Sequence, residues 1–405
     1  MTHVWREILA AAGAFGACSA MAYYVLCMAG AATFRKMGRR ALPPAHTLPP
    51  LSILKPLKGT DPGMLESFRS HCVQDYPEYE VIFGVSDPHD PAVPLVEQLQ
   101  KEFPGRAIRL VVCRQVLGTN MKVSNLIQML PQARYEHIVV NDSDIRVPHE
   151  YLRRLMAGFS PGSRRGGAGE RRADIGLVTC LYRGEARRTL GSKLEALGIS
   201  TEFHAGVLAA RRLEGGIRFA LGSSLAFTRA ALNAIGGFRP LVDYLADDYE
   251  LGARIAAAGY QVELSTVVVD TYLPAYSLPE FFRHQLRWAR STRHSRQWGW
   301  AGVGLTFALP WSVLAVLGAG GAPWSWGMLA LALAMRVLVA LVVGWGVLRD
   351  RQVLRYLFLL PLREFAGLAV WIGSYTGHTV DWRGDEFVLK DGKLLRSGEL
   401  AIGGD

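Results

Sequence analysis

Cysteine is scarce and poorly spaced for chemistry. The chain holds five (Cys18, Cys27, Cys72, Cys113 and Cys180), with no C-x-x-C and no spacing that would cage a metal. That excludes a disulfide framework and a structural zinc site, and leaves buried, reduced thiols of a cytoplasmic protein. The apolar, strand-like segments lack any Lys/Arg run interleaved with aromatics, so the net charge of +10 does not mark a nucleic-acid groove. No internal repeat is evident. Charge itself is missing from two long stretches. Ile8 to Ala32 carries none over about 25 residues, enough to cross a bilayer and too long for a cleavable leader. Trp298 to Met335 carries none either, and Gly318 to Pro323 breaks it into two spans.

Half of the 405 residues are hydrophobic, too many for an ordinary soluble enzyme and too few for a pure transporter. A globular domain fused to membrane spans fits. The expected organisation is an anchor over 1–34, a basic and Pro-rich linker over 35–50, a globular domain over 51–297, a membrane region over 298–376 and a polar tail over 377–405. A last apolar stretch, Tyr356 to Thr376, is interrupted by Arg363 and Glu364 and makes about three spans on the C-terminal side. Arg35, Lys36, Arg39 and Arg40 follow the anchor, and the positive-inside rule then puts the domain in the cytoplasm. Arg336 and Glu364 both fall mid-span near the bilayer midplane. A lone charge there is costly, so the two are expected to pair or to line a polar path.

Between the spans, apolar strand signals alternate with helical stretches. Leu51–Leu54, Tyr79–Val85, Ile108–Cys113 and Ile138–Val140 read as strands, and Asp61-Pro62 reads as a helix start. The alternation predicts an α/β domain around a parallel, nucleotide-binding type of sheet, with ligands at the C-terminal strand ends. Residues 160–173, rich in Gly and Arg, read as a solvated insertion.

Three acidic sites sit where such a sheet presents ligands. Asp87 follows the second strand, Asp142-Ser143-Asp144 follows the fourth, and Asp247-Asp248 precedes a helix that starts near Tyr249. A D-x-D suits a hard cation, Mn2+ or Mg2+, shared with a diphosphate, because such an ion takes one or two protein carboxylates and fills its shell with phosphate and water. Asp248 is either a helix-capping carboxylate or the general base that removes an acceptor proton. In His284-Gln-Leu-Arg287-Trp288, Arg287 is placed to stabilise a departing diphosphate and Trp288 to pack near donor or acceptor. The same helix also reads as an amphipathic element at a membrane surface.

Taken together, Asp87, Asp142-Ser-Asp144, Asp248 and Arg287-Trp288 follow the order and spacing of a D, D, D, (Q/R)xxRW pattern. From about Leu51 to Trp288 the chain resembles the ceramide glucosyltransferase group and its bacterial relatives among the family-2 type glycosyltransferases. The Trp382-Arg-Gly384 segment fits the same resemblance. It implies a GT-A fold and an integral membrane enzyme that moves a sugar from a UDP-sugar, with inversion, onto a lipid hydroxyl at the cytoplasmic face of a bacterial-type inner membrane. Asp87 would contact the uracil, Asp142 and Asp144 the metal and diphosphate, and Asp248 would be the base. Lys122 matches a lysine near the donor nucleotide, and Gly222 and Ser223 a small-residue segment beside the active site. His284 departs from the pattern, which has Gln or Arg there. Gly118-Thr-Asn-Met-Lys-Val-Ser-Asn-Leu and Leu245-Ala-Asp-Asp-Tyr-Glu-Leu look closest to the bacterial hopanoid glycosyltransferases. That likeness implies N-acetylglucosamine transfer to bacteriohopanetetrol, with ceramide and UDP-glucose as the alternative pair. A processive polysaccharide synthase would need more spans and a Gln in place of His284. A non-catalytic scaffold would have no use for all four sites.

Overall fold

Strands rich in Val, Ile and Leu that are buried on both faces assemble side by side, and here they do so as one mixed sheet. The computed structural model describes residues 2–38, 42–44, 47–159, 173–382 and 385–396. Residues 160–172 of the expected 160–173 insertion, Arg39, Arg40 and the Arg383-Gly384 pair lie outside the described residues. Two compact units are present. One comprises Gly38–Glu185, Gly216–Pro274 and Gly392–Asp405, the other Met1–Met37, Ala186–Gly215 and Ala275–Asp391.

The first unit holds β1 (Leu51–Leu57), β2 (Tyr79–Val85), β3 (Ala107–Val112), β4 (His137–Val140), β5 (Ile145–Arg146), β6 (Ile175–Glu185), β7 (Leu225–Thr228) and β8 (Gln261–Tyr272). Their spatial order is β3-β2-β1-β4-β7-β6-β8-β5. β3, β2, β1 and β4 run parallel, as the alternation predicts, with Leu51 opposite both Tyr79 and His137. Beyond β4 the sheet departs from that expectation. β7 lies antiparallel to both β4 and β6, and β5 antiparallel to β8, while β6 and β8 are parallel. Strand direction depends on how connections cross the sheet, which the periodicity within a strand does not record.

β1 outruns its sequence limit by three residues. All seven of its positions are buried, Lys55 among them. β4 ends opposite Leu54, so Pro56 sits where one edge of β1 has lost its neighbour, a place where a strand tolerates proline. The expected helix start at Asp61-Pro62 is also corrected. The helix Met64–Cys72 begins after Gly63, with no side-chain cap. Gly63 has φ 70°, and a Cβ there would lie 2.6 Å from the Tyr272 ring, so the turn requires glycine. Asp61 is thereby released, and its carboxylate accepts the Ser143 hydroxyl.

The second unit is built on the 36-residue helix Thr2–Met37. It packs so closely on Ala308–Gly318 that a Cβ on Gly13 would lie 2.4 Å from the Ala315 backbone, and one on Gly318 2.3 Å from that of Ala10. Among the described residues two helices are long and apolar enough to cross a membrane, His3–Met37 and Pro323–Trp345; a third candidate is the pair Gln297–Thr306 and Ala308–Gly318, bent by 53°. The break at 318–323 falls where glycine and proline predict it. The last apolar stretch holds the 14-residue helix Leu360–Gly373, preceded directly by the 3-10 turn Leu357–Leu359, and is not among the helices of the described residues that are long and apolar enough to cross a membrane.

Arg336 and Glu364 meet as expected, Nε to Oε2 at 3.3 Å, and both are buried. They are not alone. Arg336 also reaches Glu202 at 3.1 Å and the Thr201 hydroxyl at 2.9 Å, and Arg363 reaches Glu202 at 2.9 Å. Glu364 further accepts the Leu309 N–H at 2.8 Å. Part of the polar tail is structured, as the antiparallel pair β9 (Thr379–Trp382) and β10 (Asp385–Lys390).

Candidate active site

The first unit gathers carboxylates around one lysine. Asn120 caps the helix Met121–Met129 by accepting the Val123 N–H at 3.1 Å, and this places Lys122 in the first turn. The Lys122 ammonium lies 2.8 Å from Asp142 Oδ1 and 3.4 Å from Asp247 Oδ2. Burial works against its charge, but Asp142 and Asp247 outweigh that and hold the ammonium well above its ordinary range. Asn120 Nδ2 donates to the Tyr244 carbonyl at 2.8 Å and reaches Asp247 Oδ1 at 3.4 Å.

Asp247 and Asp248 therefore differ. The helix starts at Asp247 rather than near Tyr249. Asp247 is buried and held by Lys122 and Asn120. Asp248 carries the pressure of its neighbours: burial first, then the charge of Asp247, push its carboxyl up to about 6. A Cβ on Gly222 would lie 2.9 Å from Asp248 Oδ2, so glycine is the residue that leaves this carboxylate room. The next residue, Ser223, has a buried hydroxyl with no hydrogen-bond partner among the described residues.

The D-x-D loop is supported from below. Lys55, fully buried in β1, donates to the Asp142 carbonyl at 2.8 Å. Burial lowers its ammonium to about 7 against the pull of Asp144 and Asp142. Asp144 Oδ2 accepts the Thr271 hydroxyl at 2.6 Å, and burial together with the Asp142 charge pushes its carboxyl up to about 6. Among the described residues no three His, Cys, Asp or Glu side chains form a ready-made metal cage. Asp142 and Asp144 are a pair with negative charge in excess, which is the donor set of a cation that completes its shell from phosphate and water. Asp87 stands at the exposed end of β2, where its carboxylate accepts the His89 N–H at 2.8 Å.

Sequence reasoning passed over Lys55, Asp61, Asn120 and Thr271. A lysine inside an otherwise apolar strand was the readable sign for Lys55. Asp61 and Thr271 reach the loop only through tertiary packing.

In the second unit, Arg287 and Trp288 ride on the helix Leu278–Ser295, which opens with a Ser277/Glu280 capping box. It buries Phe281 and Ala289 and turns Arg283, Arg287 and Arg290 toward a cavity of about 280 Å³, shared with Thr379, Asp381 and Glu386. Trp288 packs between the rings of His284 and Phe203, at 5.3 and 6.1 Å. His284 Nδ1 lies 3.3 Å from Glu195, which also accepts Gln285 at 2.8 Å.

This site belongs beside a sequence match that spans nearly the whole chain, for residues 13–395 fit the sequence model of Glycosyl transferase family 21. The chain belongs to glycosyl transferase family 21. A ceramide glucosyltransferase 3 from Caenorhabditis elegans is 25% identical over 244 residues, 60% of this chain and 50% of that protein. The Komagataella phaffii ceramide glucosyltransferase is 31% identical over 113 residues, 27% of this chain and 22% of that one. A mannosyltransferase from Pyrobaculum calidifontis, solved with GDP-Man and Mn2+, aligns over 90% of this chain and 99% of its own at 18% identity, with a TM-score of 0.47. The chain spans about half the length of the first curated relatives it matches. Family membership and the strand-ordered sheet agree on a GT-A-like α/β fold, now with a mixed rather than a parallel sheet.

Proposed function

We propose that this family 21 chain transfers a sugar, with inversion, from a UDP-sugar to a lipid hydroxyl at the cytoplasmic face of a bacterial-type inner membrane. The observation that carries the reading is the Lys122, Asp142, Asp247 cluster, with Asp248 left over beside Gly222. Asp248 takes the proton of the acceptor hydroxyl as that oxygen attacks the anomeric carbon. Lys122 holds the carboxylates in register and lends positive charge to the donor phosphates. Asp87 meets the uracil, and Gly222 and Ser223 line the space for the sugar. Arg287 and Trp288 bind the diphosphate as it leaves. Asp142 and Asp144 would hold a Mn2+ or Mg2+ ion, which supplies charge compensation for the leaving UDP.

The preferred acceptor is bacteriohopanetetrol with UDP-N-acetylglucosamine, on the motif stretches quoted above. Ceramide with UDP-glucose is the second reading, favoured by the ceramide glucosyltransferase relatives. UDP release by detergent-solubilised protein, assayed with both sugars against both lipids, separates them. Asp144→Ala should abolish turnover, and Asp142→Ala nearly so. EDTA should silence the wild type, with Mn2+ or Mg2+ restoring it. Full activity in excess chelator counts against the metal.

A further inference from the structure

Behind the D-x-D loop lies a buried set of polar side chains that none of the roles above uses. Asn141, immediately before Asp142, is fully buried, as are Tyr151, Thr179 and Ser224. Asn141 Nδ2 donates to the Ser223 carbonyl at 2.9 Å and to the Tyr151 hydroxyl at 3.0 Å. The Ser223 carbonyl can only accept, so it fixes which end of the Asn141 amide carries the hydrogens. The Tyr151 hydroxyl lies 2.6 Å from Ser224 Oγ and 3.3 Å from Asn141 Oδ1. Thr179 Oγ1, in β6, donates to the Ser224 carbonyl at 2.8 Å, lies 3.1 Å from the Leu221 carbonyl, and accepts the Leu221 N–H at 3.0 Å.

Two loops are joined in this way. One carries Asp142 and Asp144. The other, residues 221–224, carries Gly222, whose missing side chain makes room for Asp248. Tyr151 comes from a third element, the short helix Tyr151–Met156, and bridges both loops with a single oxygen. Buried groups linked in this manner move together, because each broken bond would leave an unsatisfied polar atom away from water.

We propose that Tyr151, acting through Asn141 and Ser224, is a positioning residue that sets the separation between the Asp142–Asp144 loop and the Gly222 seat of Asp248. It rests on the assignment of those carboxylates made under the proposed function. Tyr151 touches no substrate. It governs how well the leaving-group side and the acceptor side of the reaction are aligned.

Tyr151→Phe removes the oxygen and keeps the ring. Hydrogen–deuterium exchange of the metal-free protein should then speed up by about tenfold in peptides covering 141–147 and 221–225 together, while those covering 51–57 and 79–85 stay as in the wild type. Under saturating UDP-sugar and acceptor, kcat should fall about ten- to a hundredfold, with the KM for UDP-sugar within about twofold of the wild type, the pattern of misalignment rather than lost binding. Thr179→Val, which frees only the 221–224 loop, gives the same kcat-against-KM split if Tyr151→Phe fails to fold. For Tyr151→Phe, faster exchange in one loop alone, or equally everywhere, overturns the linkage. Faster exchange in both loops with kcat unchanged overturns the positioning role. If the wild type turns over no UDP-sugar, the functional reading fails, and the exchange pattern decides the linkage by itself.

Discussion

Two adjacent carboxylates, Asp247 and Asp248, are held in different surroundings. Asp247 faces Lys122 and Asn120 and serves to lock a helix start to the D-x-D loop. Asp248 is left with burial and a like charge, and its carboxyl at about 6 is ionised at neutral pH yet basic enough to accept a proton. Asp248→Asn keeps the shape and removes the base, so kcat should drop by about two to four decades while UDP-sugar binding survives. The wild-type rate should rise with pH through about 6 and level off above it, because a raised carboxyl must lose its proton before it can act. An active Asp248→Asn beside a dead Asp247→Asn that still folds would reverse the two roles.

Among the elements, the helices of the second unit show how buried charge is reconciled with an apolar setting. Arg336, on the helix Pro323–Val339, is met by Glu364 from Leu360–Gly373 and by Glu202 from the wide helical turn Ile199–Phe203. Arg336→Leu strands Glu364 and leaves Glu202 with Arg363 alone, and should cost about 3–5 kcal/mol, read as thermal unfolding in detergent. Adding Glu364→Leu should recover only part of that loss, because Glu202 loses one of its two arginines. Adding Glu202→Gln as well should recover more. A double variant already equal to the wild type would mean that Glu202 contributes nothing.

For the whole molecule, the site carries a stability cost that a cation is suited to remove. Asp144 has its carboxyl raised from 3.8 to about 6 by burial and Asp142. A raised carboxyl destabilises the folded state once the pH exceeds the unfolded value near 4, and the penalty is complete above about 6. Metal-free Asp144→Asn should therefore unfold at a higher temperature than metal-free wild type at pH 7, by roughly 1–3 kcal/mol. The advantage should vanish below about pH 4, where both proteins are neutral at this position. Equal melting temperatures at pH 7 would remove the strain from the account of the site.

The chain's own order of residues determined a good deal. Apolar runs of strand length located β1 to β4, and uncharged stretches located the long helices, because both are patterns along a single segment, while the alternation of strand and helix pointed to the parallel pairing of those four strands. The acidic motif was legible for the same reason, each carboxylate standing directly after a strand or at a helix start. Even the Arg336–Glu364 pair could be anticipated from depth alone. Tertiary structure decided the rest. It set the direction of β7 and β5 and drew Glu202 into the arginine pair. It also brought Lys55, Asp61 and Thr271 to the D-x-D loop from parts of the chain more than 80 residues away. Local spacing carries no record of such meetings. They arise when buried polar groups must find partners, and those partners are chosen by packing across the sheet.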